Sequence, residues 1–206
     1  VLLQVQMASG TTMFPGGGDV IGAHAGTMVF SYLVLVAMGL IEWRVRGTAG
    51  RPVAGLVQMA ALFGGGLLLA IVQLFLPDQV QAIGGIYLLV ELIAIVLFAV
   101  RVLPKSVRVD WIGASPARHL ATSAVFVIVA MAIYMYLVVS FLGDRTADFE
   151  TFIPILVASD HSTFVGVITN LVFALALSLA ADRRSIWPWA DQVVYWLMNV
   201  GLVVFA

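Results

Sequence analysis

Hydrophobic residues in this sequence fall into long runs, separated by short stretches that carry charged residues, prolines and glycines. An apolar run of about 20 residues can cross the roughly 30 Å of hydrocarbon in a bilayer as an α-helix. The pattern predicts five complete spans, a sixth that begins near Ala190, and the remnant of an earlier one at Val1–Gln6. We therefore expect both ends to be truncated. The five spans are about Val20–Trp43, Val53–Leu76, Gln81–Leu103, Leu120–Leu142 and His161–Ala181.

Composition supports this fold class. The 206 residues are 62% hydrophobic and 10% charged, with a mean hydropathy of +1.08, whereas a soluble domain has about 25% charged residues. The prediction is an all-α, polytopic transmembrane helical bundle, formed as a single domain over residues 1–206. The chain has no cysteine, which excludes disulfides and iron–sulfur clusters ligated by this chain. We expect the bilayer as a partner and no nucleic acid; the formal charge of −1 does not by itself bear on nucleic acid, which depends on where the charges lie.

The basic residues predict the orientation of the bundle. Nine of the ten lie in one set of connections, and Arg145 is the exception. Positively charged short loops stay in the cytoplasm, so the sequence predicts a protein of the cytoplasmic (inner) membrane with its Asp- and Glu-rich loops outside. The nine are Arg44, Arg46, Arg51, Arg101, Lys105, Arg108, Arg118, Arg183 and Arg184.

A repeated pattern sets two histidines at similar depth. His24 and His161 each precede an apolar stretch that closes with an acid and an arginine about 20 residues later. The pattern predicts two His-led helix groups, 20–103 and 120–206, whose first helices run in the same direction. Two imidazoles at one level can ligate a metal or heme iron from opposite faces. The alternative is that both are interfacial polar residues.

Other polar residues in the apolar runs have competing interpretations. Glu91 lies in the middle of the third span, which marks it as a functional candidate; the alternative is a protonated acid that bonds a neighbouring helix. Asn170 and Asn199 predict an interhelical hydrogen bond, and Gly64-Gly65-Gly66 predicts close helix packing. His119, beside Arg118 at a span end, predicts an interfacial role.

Two stretches resemble the heme-copper oxidase superfamily. The run from Leu2-Leu3-Gln4 through Met13-Phe14-Pro15 to His24 and Met28 resembles the outer end of helix I and helix II, with its low-spin heme histidine. The run from His161 through Asn170, with Tyr195-Trp196-Leu197-Met198-Asn199, is similar to helices X and XI of nitric oxide reductase large subunits. The resemblance covers about the first 45 and the last 50 residues. It implies that His24 and His161 ligate heme b and that Glu91 serves a proton path or quinone site.

The departures from that family restrict the chemistry. The family has a His-x-His pair in helix X, but Ser159-Asp160-His161-Ser162-Thr163 contains one histidine, and the copper-ligating histidines are absent. A binuclear oxygen- or NO-reducing centre cannot be assembled from three histidines, so no catalytic residue is predicted. The expected function is a heme-b-binding, electron-transferring subunit of a larger respiratory or oxidoreductase complex, rather than a complete enzyme.

This function implies other membrane subunits and a redox partner at the outer face. Two alternatives come from other classes of protein. One is a heme-free structural or assembly subunit, which the abundant glycine and few intramembrane charges favour. The other is a small-solute transporter built on the repeat.

Overall fold

The computed structural model describes residues 8–10, 23–24, 26–46, 52–76, 85–143, 149–180 and 187–205. Within these ranges every regular element is helical, which confirms the all-α prediction. Five helices are long and apolar enough to span a membrane. The shorter apolar helix Trp189–Phe205 lies where the sixth run was predicted. The predicted remnant at Val1–Gln6 lies outside the described residues.

The helical elements follow one another in a simple order, and two of them are π-helices. We call the two π-helical segments π1 and π2. The elements are π1 (Thr27–Val34), α1 (Leu35–Arg46), α2 (Pro52–Phe75), α3 (Ile86–Arg101), α4 (Leu103–Ser106), α5 (Pro116–Gly143), a 3-10 turn (Phe149–Phe152), α6 (Ile153–His161), π2 (Ser162–Thr169), α7 (Asn170–Leu179) and α8 (Pro188–Phe205).

The chain divides into two units, Val1–Val36 with Gly50–Leu97 and Ala37–Ala49 with Phe98–Ala206. In the first unit π1 packs against α2. A Cβ added at Gly66 would overlap the Ser31 hydroxyl, and one added at Gly65 would overlap the Glu91 side chain, whereas one added at Gly64 would have no atom of the described residues within 4 Å. The predicted close packing is therefore confirmed at Gly65 and Gly66, because the absence of a side chain there lets a neighbour approach the backbone.

The second unit is organised around α5. This helix contacts α4, α6, π2 and α7, while α8 packs against π2. At Gly166 in π2, an added Cβ would overlap the Phe126 ring of α5. Leucine and valine side chains instead cover the outer surfaces, with Leu179 and Val204 89% and 81% exposed. Large apolar side chains on the outside are typical of helices that face lipid.

The predicted start of the fifth span was wrong. Helix begins before His161, at the 3-10 turn Phe149–Phe152, and the membrane-length helix runs over Glu150–Leu179. Pro154 is accommodated in the first turn of α6, where its missing N–H costs nothing. The predicted span excluded the polar pair Ser159-Asp160, but Ser159 is 1% exposed and lies within the helix. His161 is consequently an interior residue of that helix and does not open it.

Candidate functional site

His161 is oriented by its own helix. Its Nδ1 lies 2.8 Å from the Val157 carbonyl oxygen, one turn earlier. A carbonyl can only accept, so Nδ1 carries the proton and donates it. The lone pair is then on Nε2, at the other side of the ring. Histidines that ligate metals commonly have this arrangement, since a backbone carbonyl that holds one ring nitrogen fixes the tautomer and the ring orientation.

The backbone beside each predicted ligand is π-helical. π1 begins three residues after His24, and π2 begins one residue after His161. Each segment is eight residues long. π-Helical turns are rare and occur frequently at functional sites, because they widen the helix and change the direction of its side chains. The two histidine contexts, which were similar in sequence, are thus also similar in local conformation.

A buried hydroxyl next to His161 forms no hydrogen bond with the described residues. The Ser162 side chain is 1% exposed, and its Oγ has no hydrogen-bond partner among the described residues. The Ser31 hydroxyl on π1 is also buried and without such a partner. A buried hydroxyl without a partner costs about 1–3 kcal/mol, and a polar group of a bound molecule would satisfy it. The Phe205 ring of α8 covers one side of His161, with its centroid 4.8 Å away.

His24 lies in a short helical stretch just before π1 and is half-buried. It belongs to the first unit, whereas His161 belongs to the second. Their pairing across one heme therefore stays a prediction. Among the described residues no three His, Asp or Glu side chains form a metal-binding group, but axial ligation of a heme needs only two side chains.

Glu91 lies on α3 and is fully buried in the first unit. Its side chain lies against the bare backbone of Gly65 on α2. Neither carboxyl oxygen has a hydrogen-bond partner among the described residues. The interpretation of Glu91 as an acid that bonds a neighbouring helix therefore receives no support from this part of the chain.

Sequence reasoning missed a polar site between α5 and α8. Arg118 and His119, in the first turns of α5, are both fully buried. Arg118 Nη2 donates to Asp191 Oδ2 of α8 at 2.6 Å, and Nη1 donates to Gln192 Oε1 at 2.6 Å. The other Asp191 oxygen, Oδ1, lies 3.2 Å from His119 Nε2. His119 lies in the first turn of a membrane-length helix, and its ring is buried inside the protein. The interfacial role predicted for it stays a prediction.

Asparagines extend the site to α7. Asn170 Nδ2 donates to Asn199 Oδ1 at 2.8 Å, which confirms the predicted interhelical hydrogen bond. Asn170 Oδ1 lies 3.0 Å from His119 Nδ1. Tyr195 contributes its ring, which lies under the Arg118 guanidinium at 4.2 Å and meets the His119 ring edge-on. We call these residues the polar cluster: Arg118, His119, Asn170, Asp191, Gln192, Tyr195 and Asn199.

The loop before α5 closes the polar cluster on one side. Asp110 Oδ1 accepts the backbone N–H groups of Ile112 and Gly113, both at 3.0 Å. These bonds, that of Gly113 first, lower the pKa of the Asp110 carboxyl. The turn presents the Ile112 carbonyl, which accepts from Gln192 Nε2 at 2.6 Å and from Arg118 Nη1 at 3.4 Å.

One signal in the sequence could have identified the polar face of α8. Asp191, Tyr195 and Asn199 follow one another at intervals of four residues, which aligns them on a single face of a helix. The remaining faces of α8 are apolar and exposed, with Leu197 and Val203 as examples. A polar stripe on an otherwise apolar helix predicts polar partners inside the bundle.

A cavity of about 410 Å³ also lies in the second unit. At its edge, Arg44 Nη2 donates to the Ser178 hydroxyl at 2.8 Å. Neither His24, His161 nor Glu91 lines this cavity. The lining residues are Arg44, Pro116, Ala117, Leu120, Ala174, Leu175 and Ser178.

Comparison with family models, with curated proteins and with solved structures yields no match to this chain. The resemblance to the heme-copper oxidase superfamily accordingly stays a prediction.

Proposed function

We propose that the chain binds a b-type heme within the membrane, through His161 and His24, and carries electrons for a larger oxidoreductase complex. The observation that supports this most directly is the hydrogen bond from His161 Nδ1 to the Val157 carbonyl. It holds the ring in place and leaves the lone pair on Nε2, the atom that would ligate the heme iron. The buried Ser162 hydroxyl next to it has no hydrogen-bond partner among the described residues and would be available to donate to a polar group of the heme.

A heme with two histidine ligands supplies reversible one-electron transfer. The chain contributes the ring orientation at His161, the widened π2 backbone next to it and an apolar surrounding. The basic connections give the expected orientation, with those loops in the cytoplasm of an inner-membrane protein. In that orientation the redox partner approaches the outer face, and further membrane subunits cover part of the apolar surface. Glu91, buried in the first unit, is the proposed proton or quinone residue.

A visible spectrum tests the proposal. We expect the dithionite-reduced minus oxidised spectrum of the purified protein to show a sharp b-type α-band, with about one heme per chain. His161→Ala and His24→Ala should each abolish the band. His161→Met should keep a heme with an altered spectrum, since a thioether can replace an imidazole as an axial ligand.

The third histidine provides the control. His119→Gln should keep the heme, because this ring is engaged with Asp191 and Asn170. Size-exclusion chromatography establishes that each variant is folded before its spectrum is compared. A flat spectrum from folded wild-type protein, or full heme content in both alanine variants, would refute heme binding. The heme-free structural subunit would then become the better interpretation.

A further inference from the structure

The cavity in the second unit lies where three membrane-length helices end. The span that includes α1 ends at Arg46, the span that includes α7 ends at Leu179, and α5 begins at Pro116. Arg44 and Ser178, which line the cavity, are within two residues of these ends. A helix that just crosses the hydrocarbon has its last turn at the level of the lipid headgroups. The polar end of the cavity therefore lies at headgroup depth.

The lining of the cavity changes from polar to apolar along the helices. Leu120 lies four residues after the start of α5, and Ala174 and Leu175 precede Ser178 by four and three residues. At 1.5 Å per residue, these apolar side chains are about 5–6 Å deeper in the bundle. Leu120 and Leu175 are also partly exposed, so apolar surface is available to a bound molecule. The order, polar at headgroup depth and apolar below it, matches that of a phospholipid.

Arg44 supplies a positive charge at the polar end. Its Nη2 donates to the Ser178 hydroxyl at 2.8 Å, and that hydroxyl donates its own proton to the Ala174 carbonyl at 2.7 Å. These two bonds hold the guanidinium at the edge of the cavity. A guanidinium has five N–H donors, and among the described residues no carboxylate pairs with Arg44. Two other arginines of this unit each have a carboxylate partner.

Two features next to Arg44 suit a negatively charged headgroup. Pro116 and Ala117, in the first turn of α5, line the cavity. The N–H groups of a first turn have no partner within the helix and form the positive end of its dipole. The Trp43 ring, with its centroid 5.8 Å from the Arg44 guanidinium carbon, is 55% exposed. Tryptophan is enriched at the level of the headgroups.

We propose that this cavity binds one anionic phospholipid. Its phosphodiester lies against the Arg44 guanidinium, whose planar fork suits phosphate oxygens, and the first methylene groups of an acyl chain lie along Leu120 and Leu175. A volume of about 410 Å³ is in the range of small-molecule sites, about 300–1,000 Å³. Because no carboxylate of the described residues offsets Arg44, a lipid with a net negative charge is favoured over a zwitterionic one. The site shares no residue with the proposed heme site.

Native mass spectrometry of the detergent-purified chain tests the site. Two probe lipids with the same oleoyl chains are compared: phosphatidylglycerol, which is anionic, and phosphatidylcholine, which is zwitterionic. The wild-type chain should retain one phosphatidylglycerol, with an affinity about fivefold or more above that for phosphatidylcholine, since one basic side chain at a membrane surface contributes about this factor. Equal affinities for the two lipids would overturn the proposal.

Arg44→Gln tests the cation, and Arg108→Gln is its matched control. Arg108 is exposed in the connection before α5 and does not line the cavity. We expect Arg44→Gln to remove the preference for phosphatidylglycerol and Arg108→Gln to keep it. Arg44→Lys retains the charge without the planar fork and should keep part of the preference. An unchanged preference in Arg44→Gln, or an equal loss in the two glutamine variants, would contradict the assignment of Arg44.

Ala117→Trp provides a second arm if Arg44→Gln does not fold. The indole fills the polar end of the cavity and should weaken the binding of both lipids. Leu179→Trp, at a position that is 89% exposed and outside the lining, should weaken neither. Wild-type binding of phosphatidylglycerol by Ala117→Trp would show that the lipid binds elsewhere.

A soluble phosphate is the other source of the same charged group. Glycerol phosphate, added at the concentration of the lipid, should not displace phosphatidylglycerol, because it has no acyl chain to contact Leu120 and Leu175. Displacement at equal concentration would identify a site for soluble phosphate and overturn the lipid proposal. Lipid retention is measured with or without heme, so the result is independent of the visible spectrum described above.

Discussion

Arg118 Nη2 and Asp191 Oδ2 lie 2.6 Å apart in the second unit and join the first turns of α5 to α8. The arginine has no exposed side-chain surface, so its charge depends on this carboxylate. Removing one partner of a buried ion pair costs about 3–5 kcal/mol, since the other charge is left buried and uncompensated.

Asp191→Asn should therefore lower the free energy of unfolding by several kcal/mol, measured by denaturant titration in mixed micelles. Glu42→Gln breaks the pair with Arg101, whose side chain is 11% exposed. Glu42→Gln should lower the free energy of unfolding by less, because water still reaches the Arg101 charge that is left without its partner. If the free energy of unfolding fell equally in the two variants, the Arg118–Asp191 pair would not be the stronger of the two ion pairs.

The three consecutive glycines of α2 should respond differently to alanine. Gly64→Ala should be neutral or stabilising by up to about 1 kcal/mol, since the site is open and alanine favours helix. Gly66→Ala should cost about 1–3 kcal/mol because the new methyl group meets Ser31. Thermal unfolding of these two single variants checks this order. Combining Gly66→Ala with Ser31→Gly should recover part of the lost stability. If it recovers none, the new methyl group does not clash with Ser31.

Glu91 should be dispensable for folding. Because both carboxyl oxygens are buried without a partner among the described residues, replacing the acid with leucine should raise the free energy of unfolding by about 1–3 kcal/mol. Glu91→Gln keeps the shape and an unpartnered polar group and should change stability little. The same variants assayed for heme reduction by a quinol separate a functional acid from an inert one. If Glu91→Leu unfolds the protein, the carboxyl has a structural partner.

Asp110 should stabilise its turn in a pH-dependent way. Its pKa is lowered in the folded protein by the backbone N–H groups of Gly113 and Ile112. The stabilisation is therefore complete above the ordinary value near 3.9 and is lost as the pH falls through the lower, folded value. Hydrogen-exchange protection of the two amides should be constant from pH 7 to 5 and decline only in stronger acid. Asp110→Asn should keep protection without the acid decline, and Asp110→Ala should lose it at every pH.

Sequence reasoning located the spans because hydrophobic runs report directly on burial in lipid. It failed at His161 because Ser159 and Asp160 are polar, and local polarity does not distinguish a loop from a helix whose polar side chains face a neighbour. It succeeded with Asn170 and Asn199, since an amide in an apolar helix has few other ways to form hydrogen bonds.

The polar cluster was beyond such reasoning for a different reason. His119 and Asp191 are 72 positions apart, and each lies close to a predicted span end, where an interfacial role is the common case. Only the packing of α5, α7 and α8 brings them together. The four-residue spacing on α8 indicates which face of this helix is polar. No local pattern indicates which helix packs against that face.

The stripe of Asp191, Tyr195 and Asn199 also constrains how the protein enters the bilayer during synthesis. An isolated α8 would leave Asp191 without its ion-pair partner and would expose the Asn199 amide to lipid, which is unfavourable for a polar group without a hydrogen-bond partner. The ribosome makes α5 and α7 first, and these two helices already hold the arginine, histidine and amide that satisfy the stripe. We therefore expect α5 and α7 to be packed together before α8 leaves the translocon. Helix α8 would then insert into the bilayer and pack against them in the same step.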